Sequence, residues 1–326
     1  MKRILFCLII LLMIVAPTPA RTVEMTLHAT KVSKPATPYT LLPKQDEQTD
    51  TDAAPLYEKA LQSFPNDLRM EEVEQWLKTP PDKLPLNQVQ SVLQQLEPIL
   101  KLHKQAAKCK HCDWPYWDED DLTENSRKHR RLVFFHALKV RLLIAQGRYD
   151  EAIGSAQTGF AMAKHLGEGS ELIHGLFGIG VAAYMCRQIE ALIQRPDAPN
   201  LYQALRDLPQ PFIDLSENAQ WEEPKLKNRI HLLMNRLDRH LAALQCLEAI
   251  RLHASTHEGK FPKQLADIAQ VPVPDDPVTG KPFIYRRTGS KAILEGPAPK
   301  GATAKEAIRY ELNLILPFEG NEDGNM

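Results

Sequence analysis

The stretch RLVFFHALKVRLLIAQGRYDEAI, from Arg131 to Ile153, decides the fold of this chain. Up to Gln146 its apolar residues recur every three or four positions, which is the spacing of one face of a helix. Gly147 can adopt the left-handed conformation that ends a helix, and a second helix opens directly after it. The stretch therefore predicts two helices joined by a tight turn, and it indicates a mainly α protein.

Helical spacing continues on both sides of this hairpin. Between Leu86 and Ala107 an apolar residue recurs every three or four positions, and Pro98 should kink or split that helix. From Leu172 to Cys186 the chain is apolar on nearly all sides, which predicts a helix in the middle of a bundle. That segment is too short and too interrupted by glycines to cross a membrane. Together these patterns predict one helical domain over residues 54–215.

The turn and second helix of the hairpin have the small residues of a helical repeat. Gly147, Tyr149, Ala152, Ala156 and Gly159 resemble the middle of a tetratricopeptide repeat, in which small residues let two helices approach closely. Only one such unit is legible, and a repeat array needs about three to bury a continuous face. We therefore expect solenoid-like packing of helical hairpins rather than a true repeat domain.

A long helix is predicted after a proline-rich segment. It runs from about Lys225 to His257 with one apolar stripe, and Gly259 ends it. The prolines between residues 196 and 224 indicate a weak seam between this helix and the helical domain.

The pattern then changes from a period of 3.6 to a period of 2. Residues 283–287 and 292–294 flank the turn Thr288-Gly289-Ser290 and predict a β-hairpin. Alternation from Ile308 to Leu316 predicts a third strand. The sequence thus predicts a second unit over residues 225–318, made of the long helix and a small antiparallel sheet, followed by a disordered tail over residues 319–326.

The N-terminus has the three-part layout of a secretory signal peptide over residues 1–20. Lys2 and Arg3 precede an apolar run from Ile4 to Val15, and cleavage is predicted after Ala20. The run is shorter than the ~20 residues of a bilayer-spanning helix, so an uncleaved anchor is the less favoured alternative. The sequence therefore predicts an exported protein, periplasmic or secreted, whose mature chain has no permanent membrane span.

Residues 21–53, which follow the signal, are rich in Thr, Pro, Lys and Gln and have little apolar periodicity. This composition predicts an extended or disordered leader.

The charge balance argues against several classes of partner. The chain has 40 basic and 41 acidic side chains, a formal net charge of −1. A surface for nucleic acid or anionic membranes would need a basic excess. The sequence also lacks a phosphate-binding loop and a nucleophile–base constellation. We therefore predict no catalytic and no cofactor-binding residues, and a protein partner in the cell envelope.

The mature chain has four cysteines, which could pair in three ways in an oxidising compartment. They are Cys109, Cys112, Cys186 and Cys246. Their spacing does not choose among the pairings.

The motif Cys109-Lys110-His111-Cys112 is the strongest candidate site. A CxxC pair can be a structural loop closed by a local disulfide, half of a zinc site or a redox dithiol. Zinc would use Cys109, His111 and Cys112, and His103 or His129 would have to fold back to complete the site. The structural loop is favoured, because the partners required for metal or redox chemistry are missing from the sequence nearby.

Two stretches resemble known families. The segments Gln146–Ala152, Ala161–Gly169 and Ala198–Leu205 are similar to exported helical proteins of planctomycete-type bacteria, a family without an assigned activity. This likeness covers most of residues 54–223. It implies export and a helical fold.

The C-terminal part resembles the C-terminal region of type II secretion pseudopilins. The likeness rests on Ala249–His253, on Gly259-Lys260-Phe261-Pro262 and on the stretch Asp276–Arg286. It implies a long helix that leads into a short antiparallel sheet. Because pseudopilins can bind calcium near the equivalent loop, it also implies Asp275 and Asp276 as calcium ligands, although this chain lacks the pilin-type N-terminus.

Two classes of function follow from these observations. The first is a non-enzymatic envelope protein that presents helical faces to another protein. The second is a metal- or thiol-dependent activity centred on Cys109 and Cys112. The first is favoured.

Overall fold

The computed structural model describes residues 21–29, 39–65, 68–114, 119–169, 172–215, 224–300 and 302–315. The predicted signal peptide and the predicted C-terminal tail lie outside these ranges.

The protein is mainly helical, as its sequence predicts. The predicted helix from Leu86 is split in two just before Pro98, and the predicted long helix is found within one residue of its expected ends. The helices are α1 (Ala54–Gln62), α2 (Met70–Lys78), α3 (Leu86–Gln95), α4 (Glu97–Ala106), α5 (Glu119–Ala145), α6 (Tyr149–Gly167), α7 (Leu172–Ile193), α8 (Tyr202–Arg206) and α9 (Pro224–Thr256).

The strands form one larger sheet and two small pairs within the described ranges. The larger sheet has the order β1-β8-β7-β6, in which β1 and β8 are parallel and the other neighbours are antiparallel. β2 pairs with β3 in parallel, and β4 pairs with β5. The strands are β1 (Arg21–His28), β2 (Thr49–Asp52), β3 (Cys109–His111), β4 (Asp275–Asp276), β5 (Lys281–Pro282), β6 (Ile284–Thr288), β7 (Lys291–Gly296) and β8 (Ile308–Ile315).

The predicted extended or disordered leader over residues 21–53 has an ordered strand near each of its ends. Arg21–His28 is a strand that pairs with β8 along its whole length, and Thr49–Asp52 is a second strand. Met25 and Leu27 alternate along the first strand and are both buried, so the strand is held by the core as well as by its partner. The sheet is consequently mixed rather than purely antiparallel.

The predicted helical hairpin is confirmed as α5 and α6. Gly147 joins them with a φ of 69°, in the left-handed region that favours glycine. α6 and α7 also pack very closely, because Gly178 presents no side chain to its neighbour. A Cβ at Gly178 would lie 2.6 Å from the carbonyl oxygen of Ala163 on α6.

We expect Gly178→Ala to lower the free energy of unfolding by about 1–3 kcal/mol. The added methyl group meets a backbone atom that cannot move away without displacing α6. Gly154→Ala is the matched control, since Gly154 is an exposed position within α6 with open space around it. That change should raise stability by up to about 1 kcal/mol. Urea unfolding measures both, and a neutral Gly178→Ala variant would show that the helices are not packed this closely.

The two predicted units share one core rather than meeting at a weak seam. Leu192 of α7, Leu244 of α9 and Leu294 of β7 belong to the same cluster of buried apolar side chains. Leu172–Ile193 is long and apolar enough to cross a membrane by length and composition, but 72% of its most apolar window is buried inside the protein. This burial agrees with the predicted place of that helix in the middle of a bundle.

Buried polar contacts attach α9 to the short strand β4 and to α7. Arg239 forms a two-point ion pair with Asp276 of β4, with nitrogen–oxygen distances of 2.9 and 2.8 Å. His240 of α9 and Tyr310 of β8 both contact the same carboxylate oxygen of Glu190 on α7, at 2.8 and 2.9 Å. Buried charges are tolerated only when they are paired. These contacts therefore stabilise one position of α9 against its neighbours.

Candidate functional site

The Cys109-Cys112 motif lies in the short strand β3 and the residue after it. β3 pairs with β2, and the hydroxyl of Thr51 donates a hydrogen bond to the Cys109 sulfur at 3.2 Å. Both cysteines are buried, whereas His111 between them is exposed. Cys186 and Cys246 are buried as well, and the structure joins none of the four in a disulfide.

The environment of Cys112 does not favour a reactive thiolate. Burial raises the pKa of the Cys112 thiol, and the nearby Asp52 carboxylate and Cys109 raise it further. Reactive cysteines are found in the opposite setting, close to positive charge or to a helix N-terminus that lowers the pKa. As arranged here, the thiol is a poor nucleophile at neutral pH.

The structure does not bring Cys109, His111 and Cys112 together as metal ligands. Within the described residues, no group of three His, Cys, Asp or Glu side chains is arranged to hold a metal ion. His103, which would have to turn towards the cysteines to complete a zinc site, instead contacts His136, with 2.7 Å between the two ring nitrogens. The side chain of His129 lies outside the described set.

Trp114, just after the motif, fills the core beside it. Its ring stacks on Tyr57 of α1 with centroids 5.2 Å apart, and on His174 of α7 at 5.9 Å. The indole N–H donates a hydrogen bond to the carbonyl oxygen of His165 at 2.9 Å. The Trp114 side chain is only 8% exposed, so it closes the loop against the helices and is not free to stack on a ligand.

A cluster of buried histidines surrounds Trp114, and we call it the histidine cluster. The ring Nε2 of His165 lies 3.0 Å from the carbonyl oxygen of Cys109, so Nε2 carries the proton and donates it. The other nitrogen, Nδ1, is then the acceptor for the Tyr57 hydroxyl at 3.0 Å. The members of the histidine cluster are Tyr57, His103, Trp114, His136, His165 and His174.

Burial keeps these histidines neutral. It lowers the pKa of His103 to about 3 and the pKa values of His165 and His174 to about 4. The pKa of His136 is also well below its usual value, because of burial and then of His103 and Lys139 nearby. When the protein unfolds in mild acid, these histidines become exposed and bind protons. Acid therefore favours the unfolded state.

The His103–His136 contact leaves two ring nitrogens without a partner among the described residues, His103 Nε2 and His136 Nδ1. Two neutral imidazoles share one proton in their contact, so one buried N–H and one lone pair remain unsatisfied whichever tautomer forms. The contact stabilises the neutral pair without completing a hydrogen-bond network.

The calcium prediction fails at Asp276. Both oxygens of its carboxylate are bound by Arg239, and they also accept hydrogen bonds from the Val278 backbone N–H and the Thr279 hydroxyl, each at 3.0 Å. Asp276 is 1% exposed, whereas Asp275 is exposed. A cation at this position would have to displace a guanidinium group that already neutralises the carboxylate.

An open concave feature lies elsewhere, between α2 and α3. Both helices pack on α5, but they scarcely touch each other, and an open cleft of about 930 Å³ separates them. Its lining is partly apolar and mostly polar, and we call the apolar lining residues the floor and the polar ones the walls. The floor residues are Trp76, Pro85 and Val92, and the wall residues are Arg69, Glu72, Gln75, Thr79, Lys83, Asn87, Gln88 and Ser91.

The walls of this cleft offer neutral hydrogen-bonding groups. The side-chain amides of Gln75, Asn87 and Gln88 make no hydrogen bond to any described residue. The one ion pair at the cleft joins Arg69 to Glu72 at 3.0 Å, so most of the wall charge is neutralised. Such a surface can bind a ligand that brings its own donors and acceptors.

The sequence contains a signal for some of these features and not for others. The CxxC motif draws attention to the loop, but nothing in it shows that His165 and His174 close over the loop from α6 and α7. The cleft is lined by residues of α2, of α3 and of the loop between them, which carries prolines at positions 80, 81 and 85. Those prolines mark a turn in the sequence but do not show that a cleft forms beside it.

Comparison with protein-family models, with curated proteins and with solved structures finds no match.

Proposed function

We propose that this protein is an exported, non-enzymatic component of the cell envelope that docks another protein through the cleft between α2 and α3. The cleft carries the proposal: it is of ligand size, it is open, and its wall amides are unpartnered within the described chain. The N-terminal signal pattern and the likeness to exported planctomycete-type proteins support the location. The periplasm or the exterior is the place where the protein acts.

Solenoid-like packing of helical hairpins belongs to this proposal. The α5–α6 hairpin, with α2 and α3 laid against α5, presents helices side by side in the manner of a scaffold. Stacked helical hairpins generate extended concave surfaces, and proteins of this kind use those surfaces for binding.

A thiol- or metal-dependent activity at Cys109 and Cys112 is the weaker candidate. The buried sulfurs, the raised pKa of Cys112 and the exposed, separate position of His111 weigh against it. The motif fits a structural role better, because Trp114 and His165 pack directly around it.

A photo-reactive residue in the cleft tests the proposal. Gln88 would be replaced with p-benzoylphenylalanine in the full-length protein in its native cells. Gln90 is the matched control, since it is an exposed amide on the same helix outside the cleft lining. We expect one discrete adduct in the envelope fraction from position 88, identified by mass spectrometry, and none from position 90. Equal labelling from both positions, or none from either, would contradict the proposal.

A further inference from the structure

We propose that residues 109–114 form a lid over the histidine cluster, that mild acid opens this lid before the rest of the protein unfolds, and that the opening exposes the thiols of Cys109 and Cys112. The lid consists of β3 and the three residues that follow it. The inference does not depend on the proposed function, because it concerns neither the cleft nor a partner. It rests on how the lid is attached, on the hydrogen bonds of His165 and on the burial of two histidines beside Trp114.

The attachment of the lid to α6 and α7 runs through two histidines. Its ladder partner β2 forms a two-stranded pair outside the larger sheet, and such a pair is at best marginally stable by itself. The Trp114 indole N–H donates a hydrogen bond to the carbonyl oxygen of His165, whose ring donates one to the carbonyl oxygen of Cys109. The Trp114 ring also stacks on His174. A change in the charge of these histidines therefore acts directly on the contacts that hold the lid closed.

A second proton on the His165 ring is incompatible with the closed lid. Nε2 already carries a proton, which it donates to Cys109, and Nδ1 accepts a hydrogen bond from the Tyr57 hydroxyl at 3.0 Å. Protonation of Nδ1 would remove that acceptor. Tyr57 is 0% exposed, so water cannot replace the acceptor, and a buried donor without a partner carries the full cost of its desolvation. The closed lid therefore requires the neutral form of His165.

Both histidines beside Trp114 are neutral while the lid is closed. Burial lowers the pKa values of His165 and His174 to about 4, whereas an exposed histidine titrates near 6.5. Opening of the lid removes the Trp114 ring and admits water, so both rings then bind protons as the pH falls from 6.5 towards 4. The closed lid is thus fully stable above pH 6.5 and becomes less stable below it.

The other charges near His165 do not outweigh its burial. The hydrogen bond to Cys109 and the Asp52 carboxylate raise the pKa of His165, and the positive charges of His111 and Lys164 lower it. The titratable or charged groups that face His165 and the lid are Tyr57 of α1, Asp52 of β2, His103 of α4, Cys109, His111, Cys112 and Asp113 of the lid, and Lys164 and Glu168 of α6.

Labelling of the four buried cysteines measures the opening. Cys186 on α7 and Cys246 on α9 are buried outside the lid, so they report global unfolding, whereas Cys109 and Cys112 also report opening of the lid. The purified protein would be treated with N-ethylmaleimide at pH 7 and at pH 5.5. Each cysteine would be quantified by mass spectrometry after proteolysis. Its rate is divided by its rate in the urea-unfolded chain at the same pH, which cancels the effect of pH on thiol reactivity itself.

We expect the relative rates of Cys109 and Cys112 to rise by about 60-fold between pH 7 and pH 5.5. This rise is the product of about eightfold for each of the two histidines. At pH 5.5 the two lid cysteines should react at least about tenfold faster than Cys186 and Cys246, because a local opening is more frequent than global unfolding.

His165→Gln and His174→Gln test whether the histidines control the lid. Each removes one titrating ring, so each should reduce the rise at the lid cysteines to about eightfold. The rates of Cys186 and Cys246 in the same sample show whether a variant has lost global stability. His111→Gln is the matched control, since His111 is a histidine of the lid that is already exposed when the lid is closed. Its rise should stay within about twofold of the parent.

Three results would overturn the inference. Equal relative rates at all four buried cysteines would show that global unfolding alone exposes the thiols. A faster reaction of Cys109 and Cys112 that does not rise in acid would show that the histidines do not control the lid. An unchanged rise in both His165→Gln and His174→Gln would assign the acid response to other groups.

Discussion

Replacing Asp276 with alanine is expected to lower the free energy of unfolding by about 3–5 kcal/mol. The Arg239 and Asp276 side chains are 2% and 1% exposed, and they share two hydrogen bonds. Without the carboxylate, the guanidinium of Arg239 stays buried with no opposite charge, and the turn after β4 loses two hydrogen bonds. Urea unfolding at neutral pH measures the loss.

Asp275→Ala is the matched control for this change. Asp275 is adjacent in the sequence but exposed, so its removal should change stability by no more than about 0.5 kcal/mol. A calcium site at these residues would give a different pattern, in which calcium raises the melting temperature of the parent and both variants lose that increase. If the two variants are equally stable, the Arg239–Asp276 pair does not hold α9 to β4.

Mild acid is expected to unfold the protein over a narrow range near pH 5. Burial holds the pKa of His103 at about 3 and those of His165 and His174 at about 4, whereas the unfolded chain titrates near 6.5. The contribution of these buried, neutral histidines to the free energy of unfolding is complete above pH 6.5 and is lost as the pH falls towards 4. At pH 5 the unfolded state gains about 2 kcal/mol per histidine, or about 6 kcal/mol for the three. That equals much of the stability of an ordinary domain.

Comparing the free energy of unfolding at two pH values tests whether the histidines cause this loss of stability. The free energy of unfolding is measured at pH 7 and at pH 5 for the parent, for His165→Gln and for His257→Gln. His165→Gln should reduce the difference by about 2 kcal/mol, even if that variant is less stable at both pH values. His257→Gln should change it much less than His165→Gln does, because His257 is exposed and lies outside the histidine cluster. If the parent is equally stable at pH 7 and pH 5, the histidines are not buried as described.

Elements with a local signal were predictable from the sequence. The helical period of 3.6 predicted the α5–α6 hairpin and the long helix α9, and Pro98 predicted the split between α3 and α4. Each of these features depends on residues that are close in the chain. Strand β1 was missed since its partner β8 is near the other end of the chain. Its short alternation of Met25 and Leu27 is hidden among polar residues. The predicted seam between the two units is not found, because one core continues through Leu244 of α9 and Leu294 of β7.

The candidate site was less predictable than the fold. Cys109 and Cys112 were conspicuous by spacing, but their burial depends on Trp114 and His165, which reach them from the loop and from α6. Asp276 resembled a cation ligand in sequence, and only the structure places Arg239 on both of its oxygens. The cleft has no motif at all, because its lining comes from two helices and the loop between them rather than from a pattern of residues.

Protection of the cleft in living cells tests the central claim most directly. Cys109, Cys112, Cys186 and Cys246 are all buried, and the fifth cysteine, Cys7, is replaced by serine in both variants, so a cysteine introduced on the surface can be labelled selectively. Ser91→Cys places a thiol in the cleft, and Gln94→Cys places one on the same helix outside it. The reagent is a membrane-impermeant maleimide that can pass the outer layer of these cells. Each variant would be treated with it in intact cells and as purified protein. We expect both thiols to react quickly in the purified protein, and only Ser91→Cys to be protected in cells. Equal labelling of the two thiols in cells would show that no partner occupies the cleft and would contradict the account.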